Sequence, residues 1–399
     1  MTAEWKQVRL DDLTDADSPI TYGVIKPGDT GDVLFIRGGD IAGGRVLDNQ
    51  LRTITSEVSE KYRRTLLRGG ELLICLVGQP GQVAVAPPEL AGANIARQVG
   101  LIRLRDGVDA EFISYFLQSP EGQASLGTYT GGSVQQVINL GDLRTVNVPI
   151  PPLPEQRRMV AILDEAFDGA ATAQANAEKN LQNARALFES YLDFVFTQPD
   201  EEWVDAKLGD VCRKITDGTH ITPTYTKIGV PFLSVKNLTK GFIDFSDTRF
   251  ISVKEHQSLT KRVKPEKGDI LYTKVGTTGI ARVVDVDEEF SIFVSVALLK
   301  TKREIVQNYY LEHFLNSPYA RQQARKRTRG MANKNLVIAD IKEIDIHFPK
   351  SLDEQRSVVG KVDSLATETQ RLESVYQQKL ATLEALKKSL LHQAFTGAL

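Results

Sequence analysis

The chain repeats itself. Trp5 in WKQVRLDDL is answered by Trp203 in WVDAKLGDV, 198 residues on, and GGELLICLVGQPG is answered by KGDILYTKVGTTG. Within that pair Gly70, Gly78 and Gly81 face Gly268, Gly276 and Gly279, and YFLQSP faces HFLNSP at the same offset of 198. After a proline-bearing stretch the offset becomes 199, so that Glu155-Gln156-Arg157 faces Glu354-Gln355-Arg356 and Phe196-Thr197 faces Phe395-Thr396. A self-similarity of this length constrains the chain to one architecture used twice.

Each copy has two parts of different character. The first mixes short β-rich runs (VLFIRG, ELLICLVG, VGLIRL; PFLSVKNL, DILYTKVG, FVSVALLK) with glycine, proline and a short helical piece around EFISYFLQ or NYYLEHFL, which reads as an α/β or α+β globule. The second lacks proline after its opening turn and reads as one long helix. PIPPLPEQRR enters it through prolines that suit a first turn, where the missing N–H has no partner to lose. Glu155 then sits where the helix dipole favours an anion. In the first long helix Val160, Leu163, Phe167, Ala170, Gln174, Ala177, Leu181, Ala184, Phe188, Tyr191 and Val195 alternate in steps of three and four, a heptad seam. In the second, Val362, Leu365, Thr369, Leu372 and Tyr376 keep the heptad, and Leu380, Leu383, Leu386 and Leu390 continue it after an extra residue, which reads as a stutter.

The pairing positions expected are therefore Leu163, Phe167, Leu181 and Phe188 against Leu365, Leu372, Leu383 and Leu390. Pairing the helices antiparallel predicts a pseudo-twofold dumbbell with one globule at each end. The segments expected are 1–153, a globule; 154–197, a central spacer helix; 198–348, a second globule; and 349–399, a C-terminal spacer helix.

A hydrophobic content of 41% supports real cores, and no run approaches the length of a membrane span. The opening MTAEWKQVRLDD lacks the features of a signal peptide, so the expected location is the cytoplasm. Cys75 and Cys212 are too few and too far apart to suggest a zinc site or a disulfide framework. No G-x-x-x-x-G-K-[ST] motif is present. The Pro-Pro pairs in APPEL and IPPLP do not resemble the Asn/Asp-Pro-Pro-Tyr/Phe motif of a DNA methyltransferase. Pro199-Asp200 followed by Asp205-Ala206-Lys207 matches a nuclease pattern only superficially, and the histidines form no triad-like arrangement. The residues point to no catalysis.

In order and duplication these features resemble the specificity subunit of type I restriction-modification systems, over the whole chain. The resemblance lies in the paired globules, the exits IPPLPEQRR and FPKSLDEQRS, the ending LLHQAFTGAL, and TDGTHITPTYTKIGVPFLSVKNLTKGFIDF at 216–245. ITYGVIKPGDTGDVLFIRGGDIAGGRV resembles another subtype of the same opening, and VGQPGQVAV and VGTTGIARV resemble the strand-loop-strand that follows. The resemblance implies that each globule is a target-recognition domain reading one half of a bipartite, asymmetric site in double-stranded DNA. It implies helices that set the spacing and dock two methyltransferase subunits, with restriction subunits as further partners. No cofactor is expected on this chain; S-adenosylmethionine is expected on the partner methyltransferase. The other reading of the same residues is a non-catalytic two-headed coiled-coil adaptor that binds proteins through both globules.

The net charge is −2 overall, but residues 198–349 carry 24 basic against 20 acidic side chains. HFLNSPYARQQARKRTRGMANKNLVIA contributes Arg321, Arg325, Lys326, Arg327, Arg329 and Lys334 without an acidic residue, a cluster suited to phosphate oxygens. Thr219, His220, Thr222 and Tyr225 offer short hydrogen-bonding groups beside a glycine, fitting either groove contacts or a self-satisfied turn. Lys236, Asn237, Lys274, Thr277 and Thr278 complete the candidates of the second globule. Those of the first are Arg37, Arg45, Lys61, Arg63, Arg64, Gln79, Arg97 and Gln135.

Overall fold

The computed structural model describes residues 5–47, 49–127, 137–198, 202–330 and 334–399. The chain forms two compact units, Met1–Glu178 with Gln378–Leu399, and Lys179–Gln377. The boundaries between these units cut both long helices, so each unit contains a globule and parts of two helices.

In unit 1 the strand Leu72–Cys75 pairs with Val99–Ile102 on one side and Val83–Val85 on the other, and Thr21–Tyr22 extends the sheet. Because side chains alternate along a strand, Leu72 and Ile74 enter one core with Phe112 and Phe116, while Leu73 enters a second core with Ala84, Ile95 and Leu101. A second sheet runs Arg52–Ile54, Val33–Ile36, Asn94–Ile95, the last pair parallel. Lys6–Arg9 pairs with Asn147–Ile150 in register Val8 to Val148.

Unit 2 has the same plan. Ile270–Thr273 lies between Val296–Thr301 and Ala281–Val283, with Cys212–Asp217 at the edge. Ile270 and Tyr272 face one core and Leu271 the other. The second sheet gains a strand, running Tyr225–Thr226, Arg249–Ile251, Val230–Leu233, Ser291–Ile292. Trp203–Lys207 pairs with Asp345–Pro349. Both units cross one strand beneath a glycine. A Cβ on Gly23 would lie 1.8 Å from the Ile95 carbonyl oxygen, and one on Gly218 2.1 Å from that of Ile292.

The repeated Glu-Gln-Arg acquires a structural meaning. The helices Leu153–Thr197 and Leu352–Thr396, 45 residues each, begin just before it. Gln156 and Gln355 are buried. The Gln156 amide donates to the Pro151 carbonyl at 2.8 Å, and its oxygen accepts from the Asp109 N–H at 2.8 Å. Gln355 repeats this with Pro349 at 2.8 Å and the Gln307 N–H at 2.7 Å, and its bond to the Ile305 carbonyl at 3.0 Å answers that of Gln156 to the Gly107 carbonyl at 3.4 Å. Asp109 and Gln307 are themselves the N-caps of Ala110–Gln118 and Asn308–Asn316. One glutamine thus ties the proline exit, the long helix and the globule's own helix together. Glu155 lies in the first helical turn, where it accepts from Nε and Nη2 of Arg158.

The other end of each long helix plugs a core. In unit 2 Phe196 packs edge-on against Tyr310 and Phe314 at 5.5 and 5.3 Å; in unit 1 Phe395 does the same to Phe112 and Phe116 at 5.3 and 5.4 Å. The last helix of the chain therefore completes the first globule. In unit 1 Met159 and Leu163 share a core with Leu391, Ala394 and Phe395. In unit 2 Leu192 and Phe196 share one with Val362, and Arg185 pairs with Glu373 at 2.9 Å. Within each unit the helices run antiparallel.

The seam of the first helix falls where its heptads predict, with Leu163, Ala170, Ala177 and Ala184 buried and Phe167, Leu181 and Phe188 partly so. The second helix corrects the reading. Leu372 is 37% exposed and Leu386 45%, while Glu373 and Lys387 are partly covered. The covered series Val362, Ala366, Thr369, Glu373, Tyr376, Leu380, Leu383, Lys387, Leu390, Ala394 keeps steps of four and three with no stutter. Leu365 is also partly covered. No helix among the described residues is long and apolar enough to cross a membrane.

Candidate nucleic-acid interface

In unit 2 two stretches far apart in sequence become one surface. The turn after Ile270–Thr273 carries Gly276 and Gly279 at φ of +77° and +89°, a region that favours glycine. Its Gly276 N–H donates to the Lys334 carbonyl at 2.9 Å, the Thr278 hydroxyl lies 3.1 Å from that of Thr328, and Asn335 bridges both Val275 and Arg329. Thr277, Arg329 and Lys334 are exposed there, and Arg325 and Lys326 are exposed on the helix Pro318–Arg327 that leads into it. Arg329 also pairs with Asp340 at 3.1 Å.

Not every member of the basic run projects. Arg327 turns back to donate to the Glu343 carbonyl at 3.0 Å and approaches Asp345 at 3.6 Å. Arg321 is half-buried near Asn316, and desolvation lowers its pKa. Arg327 is thus tied to the globule, whereas the Arg321 Nε is buried without a hydrogen-bond partner among the described residues.

Two further candidates are corrected outright. Asn237 is 2% exposed; its oxygen accepts from the Ser234 N–H at 2.9 Å and its amide donates to the Asp244 carbonyl at 2.9 Å, so it closes a turn. Lys274 is 4% exposed and donates to Asp217 at 3.0 Å, because an ammonium inside a globule needs a counter-charge. Burial works against the Asp217 charge, yet hydrogen bonds from Lys274 and His220 hold its carboxyl below the usual carboxylate range. Arg262 donates to the Asp217 carbonyl at 2.8 Å. With Thr219 and His220 it lines a cavity of about 320 Å³. Thr222 and Tyr225 are exposed, the Tyr225 ring lying 4.5 Å from the Arg249 guanidinium carbon. Lys236 pairs with Asp247 at 2.9 Å.

In unit 1 Arg37 and Arg97 meet at a cavity of about 450 Å³, also lined by Arg52, Gln98, Thr30 and Thr53. Arg45 is exposed and lies 3.8 Å from Asp168. Lys61 and Arg63 pair with Glu57 and Glu60 at 2.8 and 3.9 Å, and Arg64 and Gln79 are exposed. Gln135 lies outside the described residues, as do Pro199 and Asp200. The rest of the nuclease-like pattern is engaged elsewhere, Asp205 with His347 and Lys207 with Asp345. Among the described residues no group of three or more His, Cys, Asp and Glu side chains could hold a metal ion.

Sequence reasoning missed Arg52 and Arg249. A signal existed at an offset of 197: Arg52-Thr53-Ile54 answers Arg249-Phe250-Ile251, and the two triplets are equivalent strands, each beside the Phe35 or Phe232 strand. The equivalent surfaces otherwise carry different side chains. Gln79 and Gly127 of unit 1 stand where unit 2 has Thr277 and Arg325, 198 residues on, and all four positions are exposed.

The family described as type I restriction modification DNA specificity domain matches residues 2–181 and again 200–384. The chain is 29% identical over 196 residues to the type I restriction enzyme EcoBI specificity subunit of Escherichia coli, a match covering 48% of this chain and 41% of that protein, less than half its length. It is 25% identical over 321 residues to the EcoKI specificity subunit of Escherichia coli strain K12, covering 75% of this chain and 68% of that one. Its fold is similar to a chain in a solved structure concerned with complex assembly and conformational transition of the type I R-M system. That similarity has a TM-score of 0.78 and 19% identity, covering 100% of this chain and 99% of that one.

Proposed function

Because the chain belongs to the type I restriction modification DNA specificity family and carries its domain twice, we propose that it is the sequence-reading subunit of such a system. Each unit reads one half of a bipartite, asymmetric site in double-stranded DNA. The long helices set the unread gap and dock two methyltransferase subunits, and restriction subunits complete the assembly. The chemistry, with its S-adenosylmethionine, belongs to the methyltransferases; this chain supplies discrimination and works in the cytoplasm.

The observation that carries this reading is one architecture used twice with different side chains on equivalent surfaces. A symmetric adaptor would have no use for that divergence, whereas an asymmetric DNA site requires it. Exposed arginines and lysines suit phosphate contacts, which position a protein on duplex, and side chains reaching base edges specify.

The test co-expresses the chain with its cognate methyltransferase and measures methylation of a randomised duplex library. We expect a bipartite sequence, and replacing residues 198–348 by the matching segment of a relative should change one half of it. If both halves change, independent reading is wrong. If the complex assembles yet methylates without sequence preference, the chain is an adaptor.

A further inference from the structure

Three arginines line the unit 1 cavity, and they do not serve alike. Arg52 and Arg97 are exposed. Arg37 is fixed: its Nε donates to Asp40 Oδ2 at 3.0 Å, its Nη2 to Asp40 Oδ1 at 2.7 Å, and its backbone N–H to Oδ2 at 2.8 Å. Asp40 itself is buried. The turn between them is seated on the central sheet, since a Cβ on Gly38 would lie 2.8 Å from the Cys75 sulfur. The Arg37 side chain remains one-third exposed, 33%. Its second Nη2 hydrogen and both Nη1 hydrogens have no partner among the described residues.

We propose that Arg37, held by Asp40, reads a guanine in the half-site of unit 1, while Arg52 and Arg97 grip the phosphates beside it. The inference rests on the DNA-reading function proposed above. A guanidinium tied along one edge to a carboxylate presents two parallel N–H groups at its other end, and guanine offers the matching O6 and N7 acceptors in the major groove. Rigid orientation leaves little side-chain freedom to lose on contact. The buried carboxylate also decides against a phosphate role for Arg37, because the pair as a whole carries no net charge and gains little from a phosphate's field. Its directional donors remain. Arg52 and Arg97 keep their charge at the same cavity, whose lining holds no carboxylate.

Unit 2 builds the same turn without the reader. Ser234 occupies the place of Arg37, and its N–H donates to Asn237 at 2.9 Å as that of Arg37 does to Asp40. The two halves of the site should therefore differ at the base this turn faces.

The experiment uses the chain assembled with its methyltransferase subunits and a duplex library randomised in the unit 1 half-site, at two salt concentrations. The parent should demand guanine at one position. Arg37→Ala should relax that position alone, by roughly 10- to 100-fold, with the other positions sharp. Asp40→Asn keeps the backbone acceptor, as Asn237 does in unit 2, so the turn folds, and discrimination at the same position should fall partway. Arg52→Ala and Arg97→Ala should weaken binding to every sequence and reduce the salt slope by about one each. If Arg37→Ala weakens all sequences alike, or changes nothing while the parent shows a bipartite site, the guanine assignment is wrong and the DNA-reading function stands. A parent complex with no sequence preference overturns both.

Discussion

Replacing Gln355 with methionine isolates the glutamine clasp. Methionine keeps the length and bulk of the side chain and removes its amide, leaving the Gln307 N–H and the Pro349 and Ile305 carbonyls without the partners they have at 2.7, 2.8 and 3.0 Å. A buried backbone group left unpaired costs about 1–3 kcal/mol. The Pro349 bond is fully buried and the other two are partly so, where water recovers some of the loss, so the total is about 3 kcal/mol. For a unit of this size each kcal/mol lowers the melting midpoint by about 2–4 °C, which gives roughly 6–12 °C. Scanning calorimetry of the full chain is the assay. The control is the next residue: Arg356→Met removes only an ion pair between side chains 56% and 88% exposed, and surface changes of that kind stay within about 0.5 kcal/mol. If the two variants melt alike, the clasp does not hold the helix to the globule.

Three shorter expectations follow from other parts of the molecule. Ala177→Glu puts a carboxylate at a buried seam position and should cost at least about 2 kcal/mol by denaturant titration, while Leu372→Glu, on the exposed side, should cost within about 0.5 kcal/mol; the reverse order would return Leu372 to the seam. Since the folded Asp217 carboxyl lies below its ordinary range, its contribution is fully present above the unfolded pKa of about 3.9 and is lost as pH falls through the lower folded value. Asp217→Asn should thus destabilise unit 2 at neutral pH, where it strands Lys274, and the gap from the parent should close below about pH 4; a gap constant down to pH 2 contradicts this. Burial pushes the Cys212 thiol up to about 12 and Cys75 is also buried, so a thiol reagent at pH 8 should label neither until the chain is unfolded, and fast native labelling would show that these cores open.

What the sequence determined by itself is whatever repeats or alternates. The offset of 198 identified equivalent strands and helices, and the central helix seam was legible because alanines and aromatics alternate with charges there. It could not settle the seam of the last helix. Leu372 and Glu373 are neighbours, and hydropathy favours the leucine; Arg185 lies 2.9 Å from Glu373 and lets a carboxylate take the covered position. Nor could it sort the candidate side chains by direction. Lys274 and Lys334 look alike in sequence, yet one is buried against an aspartate 57 residues away and the other is exposed, because only the packing of distant strands decides where a counter-charge stands. The same holds for Phe395, which with Leu391 and Ala394 completes a core whose remaining buried residues lie more than 200 positions earlier. Periodicity is a local property and survives in the sequence; partner choice across the core is not, and it belongs to the tertiary structure.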